Sequence, residues 1–134
     1  MIYLLDTNTV SDYLEYQPLV TRRFEDRLAK SHQLMICPPV YYELRRGLLW
    51  RDNYKKLEML QTEVLDYLVW ETLIDEDWML AARFWADARG KGKQLDDIDP
   101  LIAALAHRLN ATIASSDSDF DALPVQRESW RDSQ

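Results

Sequence analysis

A single cysteine, Cys37, leaves the chain unable to close an internal disulfide and fits a reducing compartment. Three glycines, Gly47, Gly90 and Gly92, cannot be arranged into a dinucleotide-binding or P-loop phosphate cradle. Positive charge is scarce: 16 Lys and Arg stand against 23 Asp and Glu, for a net charge of −7. That excludes a basic coat for nucleic acid, which must instead be held locally or through cations. No apolar run approaches the ~18 residues a membrane span needs. The opening Met-Ile-Tyr-Leu-Leu meets Asp6 too soon to be a signal-peptide core. A cytoplasmic chain without membrane association is expected. What is present is 134 residues, 47% of them apolar, which predicts one domain over 1–134 with a proper core.

Short apolar runs alternate with helical periodicities. Residues 2–6 predict a buried strand, and Thr7, Asn8 and Thr9 are cap-type residues opening a helix to about Tyr16. Pro18 interrupts it, and 19–31 is amphipathic, with Val20, Phe24 and Leu28 on one side. Leu34 to Cys37 is a second strand; Pro38 and Pro39 then start a helix that turns Val40, Leu44 and Leu48 inward. Asp52 to about Leu65 predicts a helix, Tyr67 to Leu73 a third strand, and Asp75 to Arg89 a helix closed by Gly90. After a loop, Asp99 caps a helix with Pro100 at its first position and Asn110 at its C-terminus. Ala111 to Ser115, and Val125 to Ser129, bring the strands to four or five. Such alternation predicts an α/β fold, a mostly parallel sheet with helices on both faces. Ligands of such sheets sit beyond the carboxyl ends of the strands.

Four acids fall at that edge. Asp6 closes the first strand, Asp117 follows the fourth by two residues, Asp99 opens a helix, and Glu43 lies one turn into the helix after the second strand. Gathered carboxylates repel and raise one another's pKa unless a cation joins them. Oxygen-only donors select Mg²⁺ or Mn²⁺, and no His/Cys set with metal-binding spacing is present. Each acid also has a plainer role. Asp99 suits an N-cap, Asp117 sits in the turn-like Ser-Ser-Asp-Ser-Asp, and Glu43 can pair with Arg45 or Arg46. Asp6 is hardest to explain away, because an acid ending a buried strand is costly without a partner. The joint placement, not any one residue, points to a site.

Four segments in order carry a resemblance: Leu4-Leu5-Asp6-Thr7-Asn8, Tyr41 to Gly47, Asp97-Ile98-Asp99-Pro100-Leu101-Ile102-Ala103-Ala104, and Ala114-Ser115-Ser116-Asp117-Ser118-Asp119-Phe120. Nearly the whole chain resembles the PIN-domain ribonucleases, and within them the VapC-like toxins of toxin–antitoxin pairs. The resemblance implies a three-layer α/β/α sandwich and a Mg²⁺- or Mn²⁺-dependent endoribonuclease. It places the metal-binding and catalytic acids at Asp6, Glu43, Asp99 and Asp117, with Asp6 and Asp99 on the principal ion. Asp97 matches a further family acid, although Asp96 beside it competes for that place. Asn8 and Ser115, the latter where relatives have threonine, are supporting residues. Also implied are cellular RNA as substrate, transfer RNA in particular, a VapB-like antitoxin and a homodimer. Two alternatives stand beside this: a catalytically silent RNA-binding or regulatory module on the same fold, and a haloacid-dehalogenase-like phosphatase. Asn8 weakens the second, since it occupies the place where that chemistry wants a second aspartate.

The RNA backbone requires local positive charge. Arg45 and Arg46 flank Glu43, and Arg89, Lys91 and Lys93 precede Asp97 and Asp99; Arg22, Arg23, Arg27 and Lys30 form another group. Trp78 and Trp85 are seven apart on one helix, which predicts core or subunit contact rather than base stacking. Cys37 reads as a small core residue, and His107 as structural or exposed.

Overall fold

In the computed structural model, which describes residues 1–132, the first strand and the paired prolines organise everything else. Strand β1 (Ile2–Leu5) buries its last three residues and is central, as a wholly apolar strand must be. Helix α1 (Thr7–Leu14) follows at once, and α2 (Pro18–Ala29) has proline at its first position and Val20 and Phe24 buried. Strand β2 (Gln33–Ile36) leads into α3 (Pro38–Trp50), whose inward face is Pro39, Val40, Leu44 and Leu48. Helix α4 (Tyr54–Met59) is capped by Asn53, whose Oδ1 accepts from the Lys56 N–H at 3.2 Å. It widens to π-type turns over Leu60–Val64 and closes with α5 (Leu65–Tyr67). Strand β3 (Val69–Trp70), α6 (Asp75–Gly90), α7 (Ile98–Leu109) and β4 (Thr112–Ala114) come next. A single 3₁₀ stretch, Ser118–Ala122, precedes β5 (Gln126–Glu128).

The five strands pair in parallel in the order β3-β2-β1-β4-β5. With the helices they form the expected three-layer α/β/α arrangement. The chain moves outward from β1 through β2 to β3, then returns to the other side of β1 for β4 and β5. The order therefore reverses between β1 and β4, the place in an open α/β sheet beyond whose carboxyl ends ligands characteristically bind. Leu4, Leu5, Ile36, Ile102, Leu105, Ile113 and Phe120 are fully buried around this centre. Among the described residues no helix is long and apolar enough to cross a membrane.

Several elements differ from expectation. The third strand is two exposed residues instead of seven, because it is an edge that pairs only through Met35–Val69 and Ile36–Trp70. The cap of α1 is Asp6 rather than the threonines and asparagine after it, since its carboxylate accepts the Thr7 N–H. Asp99 is not the cap of α7: Asp97 takes that backbone position, Ile98 starts the helix, and the capping hydrogen bonds go to Asp96. Asn110 does close α7, in the left-handed region at φ 52°. Trp130, not Trp78 or Trp85, is the tryptophan of the core.

Candidate active site

The Asp6 N–H extends the sheet ladder by donating to Ala114 O at 3.0 Å, so Asp6 emerges at the reversal between β1 and β4. Its side chain is 4% exposed and fully engaged. Oδ1 accepts from the Thr7 N–H at 2.8 Å; Oδ2 accepts from Ser115 Oγ at 2.6 Å and Asn8 Nδ2 at 3.2 Å. Burial pushes its pKa up to about 6, against the pull of the Ser115 and Thr7 donors, and Glu43 and Asp117 push it up further.

Ser115 and Asn8 connect the two strand ends. Ser115 Oγ, besides donating to Asp6, accepts from the Asp117 N–H at 3.0 Å and from Asn8 Nδ2 at 3.2 Å. Asn8 Oδ1 accepts from the Ser116 N–H at 3.2 Å. Thr9 Oγ1 donates to Ala114 O at 2.7 Å, which ties the start of α1 to β4 a second time. Glu43 reaches the same loop from α3: the Thr7 hydroxyl donates to its Oε1, and Arg46 lies 3.5 Å from its Oε2.

Asp99 comes from the first turn of α7 and is 5% exposed. Its Oδ2 is buried and accepts no hydrogen bond among the described residues. Burial, followed by the charges of Asp96, Asp6, Asp117 and Glu43, pushes its pKa up to about 8. A buried carboxylate oxygen without a donor is costly, and the usual remedy is an arginine, a lysine or a metal. Carboxylate oxygens of Asp99, Asp117 and Asp119 lie within 4.8 Å of one another. An all-oxygen donor set with one buried oxygen left open fits a hard divalent cation of the Mg²⁺ or Mn²⁺ kind.

Of the four expected acids, Asp99 and Asp117 come together with Asp119, whereas Asp6, linked to the Asp117 loop through Ser115, and Glu43, linked to the Asp6 loop through Thr7, stand outside that trio and act on Asp99 through their charge. Asp96 is occupied at the α7 terminus, accepting from Ile98 N–H at 3.0 Å and Asp99 N–H at 2.8 Å. Asp97 is exposed and lines an apolar groove with Trp78, Ala81, Trp85, Pro100 and Leu101 instead of joining the acids. Asp119 is the acid missed by sequence reasoning. Asp117 caps the 3₁₀ stretch by accepting the Asp119 N–H at 2.9 Å, and that tight turn brings both acids to one side. The Asp-Ser-Asp spacing before the buried Phe120 was the available signal.

The basic residues divide. Arg45 donates to Tyr41 Oη at 3.2 Å, Arg46 lies over Tyr42 and beside Glu43, and Arg89 lies over Trp85 at 5.0 Å. Lys91 is exposed, whereas Lys93 Nζ sits 2.6 Å from Asp119 Oδ1. Arg23 and Arg27 belong to the framework, bonded to Ser129 O and to the Glu128 carboxylate.

The chain has relatives. The family model of the PIN domain matches residues 3–126. The chain belongs to the PIN domain family. Ribonuclease VapC11 of Mycobacterium tuberculosis is 29% identical to this PIN domain over 123 residues, covering 90% of each chain. Among solved structures, VapBC2 from Rickettsia felis bound to a promoter DNA fragment matches with a TM-score of 0.82 and 25% identity, over 97% of this PIN domain and 99% of that chain. FitAcB from Neisseria gonorrhoeae matches with a TM-score of 0.83 and 27% identity, over 97% and 98%.

Proposed function

We propose that this PIN domain is a Mg²⁺- or Mn²⁺-dependent endoribonuclease, the toxin of a VapBC-type pair, acting on cellular RNA and on transfer RNA in particular. The observation that carries the proposal is the buried, unpartnered Oδ2 of Asp99 at the meeting point of acids from separate elements. Asp6 and Asp99 would hold the principal ion, with Glu43 and Asp117 beside them directly or through water. Such an ion, when bound, activates water for in-line attack on a phosphodiester and offsets the charge that develops there.

The chain's own residues supply position. Ser115, Asn8 and Thr7 orient Asp6 from both strand ends, and the Thr7 hydroxyl orients Glu43. Arg46, beside Glu43, and with it Arg45, Arg89 and Lys91 would contact the phosphates. The likeness to a chain named a ribonuclease supports the activity, and the likeness to VapBC structures supports a VapB-like antitoxin as partner. A homodimer is proposed from the apolar surface of α6 and α7. Trp78 is 57% and Trp85 36% exposed there, and grooves of about 440 and 400 Å³ share Trp78 and Leu101.

The test is cleavage of total RNA by the wild-type chain and by Asp6→Asn, with and without EDTA. Mg²⁺-dependent cleavage by the wild type alone is expected. Equal, EDTA-resistant cleavage by both chains ends the proposal.

A further inference from the structure

The loop between α6 and α7 sets a lysine ammonium beside the acidic cluster. After Gly90 the chain hooks back on itself: Lys91 N–H and Lys93 N–H donate to Ala88 O at 3.1 and 2.9 Å, and Gly92 N–H donates to Arg89 O at 3.0 Å. Gly92 makes the turn at φ 83°, in the region where side chains are disfavoured. The Lys93 backbone is therefore fixed, and its ammonium meets Asp119 at 2.6 Å. As a bridge between half-exposed groups this contact adds little to stability, so stability does not account for its position. Its position is what matters. Carboxylate oxygens of Asp119, Asp99 and Asp117 lie within 4.8 Å of one another, so the ammonium stands beside the acidic cluster that also holds the open Asp99 oxygen.

Sites that act on phosphodiesters often hold two divalent cations about 3.5–4 Å apart, which bridge shared carboxylates. Here the carboxylates are divided between two kinds of partner. Asp6 is oriented by three protein donors that leave it room for an ion, Asp119 carries the ammonium, and among the described residues Asp99 is the carboxylate with a buried oxygen that has no partner. We propose that the Lys93 ammonium fills the place of a second divalent cation, so that the pocket takes one ion and keeps a fixed protein cation beside it. Lys93 is then a positioning residue that holds Asp119 and sets the stoichiometry of the site, rather than an outward phosphate contact. This rests on the acidic pocket being a metal site.

The experiment counts Mn²⁺ bound to the purified chain in the absence of RNA, by electron paramagnetic resonance and by calorimetry, up to millimolar free Mn²⁺. One ion is expected for the wild type, one for Lys93→Arg, which keeps the charge, and two for Lys93→Met. Circular dichroism melting confirms that each variant is folded. Two ions on the wild type, or a single ion on Lys93→Met, overturns the proposal. Asp99→Asn separates the two levels: if it binds Mn²⁺ as the wild type does, or if the wild type binds none, the metal-site reading itself is lost.

Discussion

Two aspartates enter the first turns of neighbouring helices, and both are buried: Asp77 in α6 is 1% exposed and Asp99 in α7 is 5% exposed. Asp77 is fully matched. Arg108 Nε donates to its Oδ1 at 2.8 Å, and Arg108 Nη2 and the Ile74 N–H donate to its Oδ2 at 3.0 and 2.9 Å. It starts one helix and ties it to the next. Asp99 has a buried oxygen with no donor, and the charges nearest to it have its own sign. The same residue type, at the same depth and in the same part of a helix, serves the framework in one place and leaves it strained in the other. The difference lies in the neighbours: donors surround one acid, and like charges surround the other.

The largest expected effect tests this contrast directly. Asp99→Asn should lower RNA cleavage by more than about 100-fold, beyond the usual loss for an outer-shell partner of a metal, while the chain remains folded. Asp77→Ala should do the reverse. It leaves a paired arginine and a helix terminus without their partner and costs about 2–4 kcal/mol. That lowers the melting temperature by roughly 6–15 °C for a chain of this size, and cleavage measured below that temperature should persist. Loss of cleavage in Asp77→Ala at a temperature where it is folded would break the comparison.

Next in size is a pH effect on the metal-free chain. Asp99 titrates near 8 and Asp6 near 6, both above the ordinary 3.8, so between pH 4 and 8 the folded chain holds protons that the unfolded chain releases. Stability must then fall as pH rises through that window. Asp121, which Arg127 holds below the ordinary value, acts in the opposite sense, but only below about pH 4. Melting in EDTA should show a lower transition at pH 8 than at pH 5. Asp99→Asn should reduce that drop, and added Mg²⁺ should raise the wild-type transition more at pH 8 than at pH 5. A metal-free chain that is more stable at pH 8 would show that Asp99 is not strained.

Ser115→Ala removes a donor from Asp6 and an acceptor from both Asn8 and the Asp117 N–H. A loss of about 1–2 kcal/mol in stability is expected, with a roughly 10-fold loss of cleavage. The smallest effect is electrostatic. Replacing Arg89 and Lys91 together by Ala should raise the KM for RNA a few-fold and flatten its salt dependence, at an unchanged melting temperature.

The sequence disclosed those parts of the site that depend on strand ends and lost those that depend on turns. Asp6 and Asp117 were legible because a parallel sheet gathers the residues just past its strands at one edge, and Glu43 and Asp99 because each lies in the opening two turns of a helix. The choice between Asp96 and Asp97 was not legible. It depends on which carboxylate bends back to the Ile98 and Asp99 N–H groups, and either could do so by spacing. Asp119 was passed over because its turn is only five residues long, and Lys93 meets it from a distant loop. The third strand was overestimated because an apolar run does not say whether a second neighbour will pair with it. The wide turns over Leu60–Val64 left no sequence signal, since Leu57, Leu60 and Val64 keep their inward faces through the change. Trp78 and Trp85 share a face of α6 as their spacing required, but that face is open in the isolated chain.

The neighbours of β1 set the order in which the parts of the candidate site become available along the chain. One of its edges is completed by β2, which arrives within some thirty residues, but the other waits for β4, and Asp117 comes later still. A nascent or truncated chain ending before β4 lacks both the strand that supports Asp6 and the loop that holds Asp117 in place. On the reading proposed above, such a chain holds Asp6, Glu43 and Asp99 without Asp117, and RNA incubated with it should stay intact.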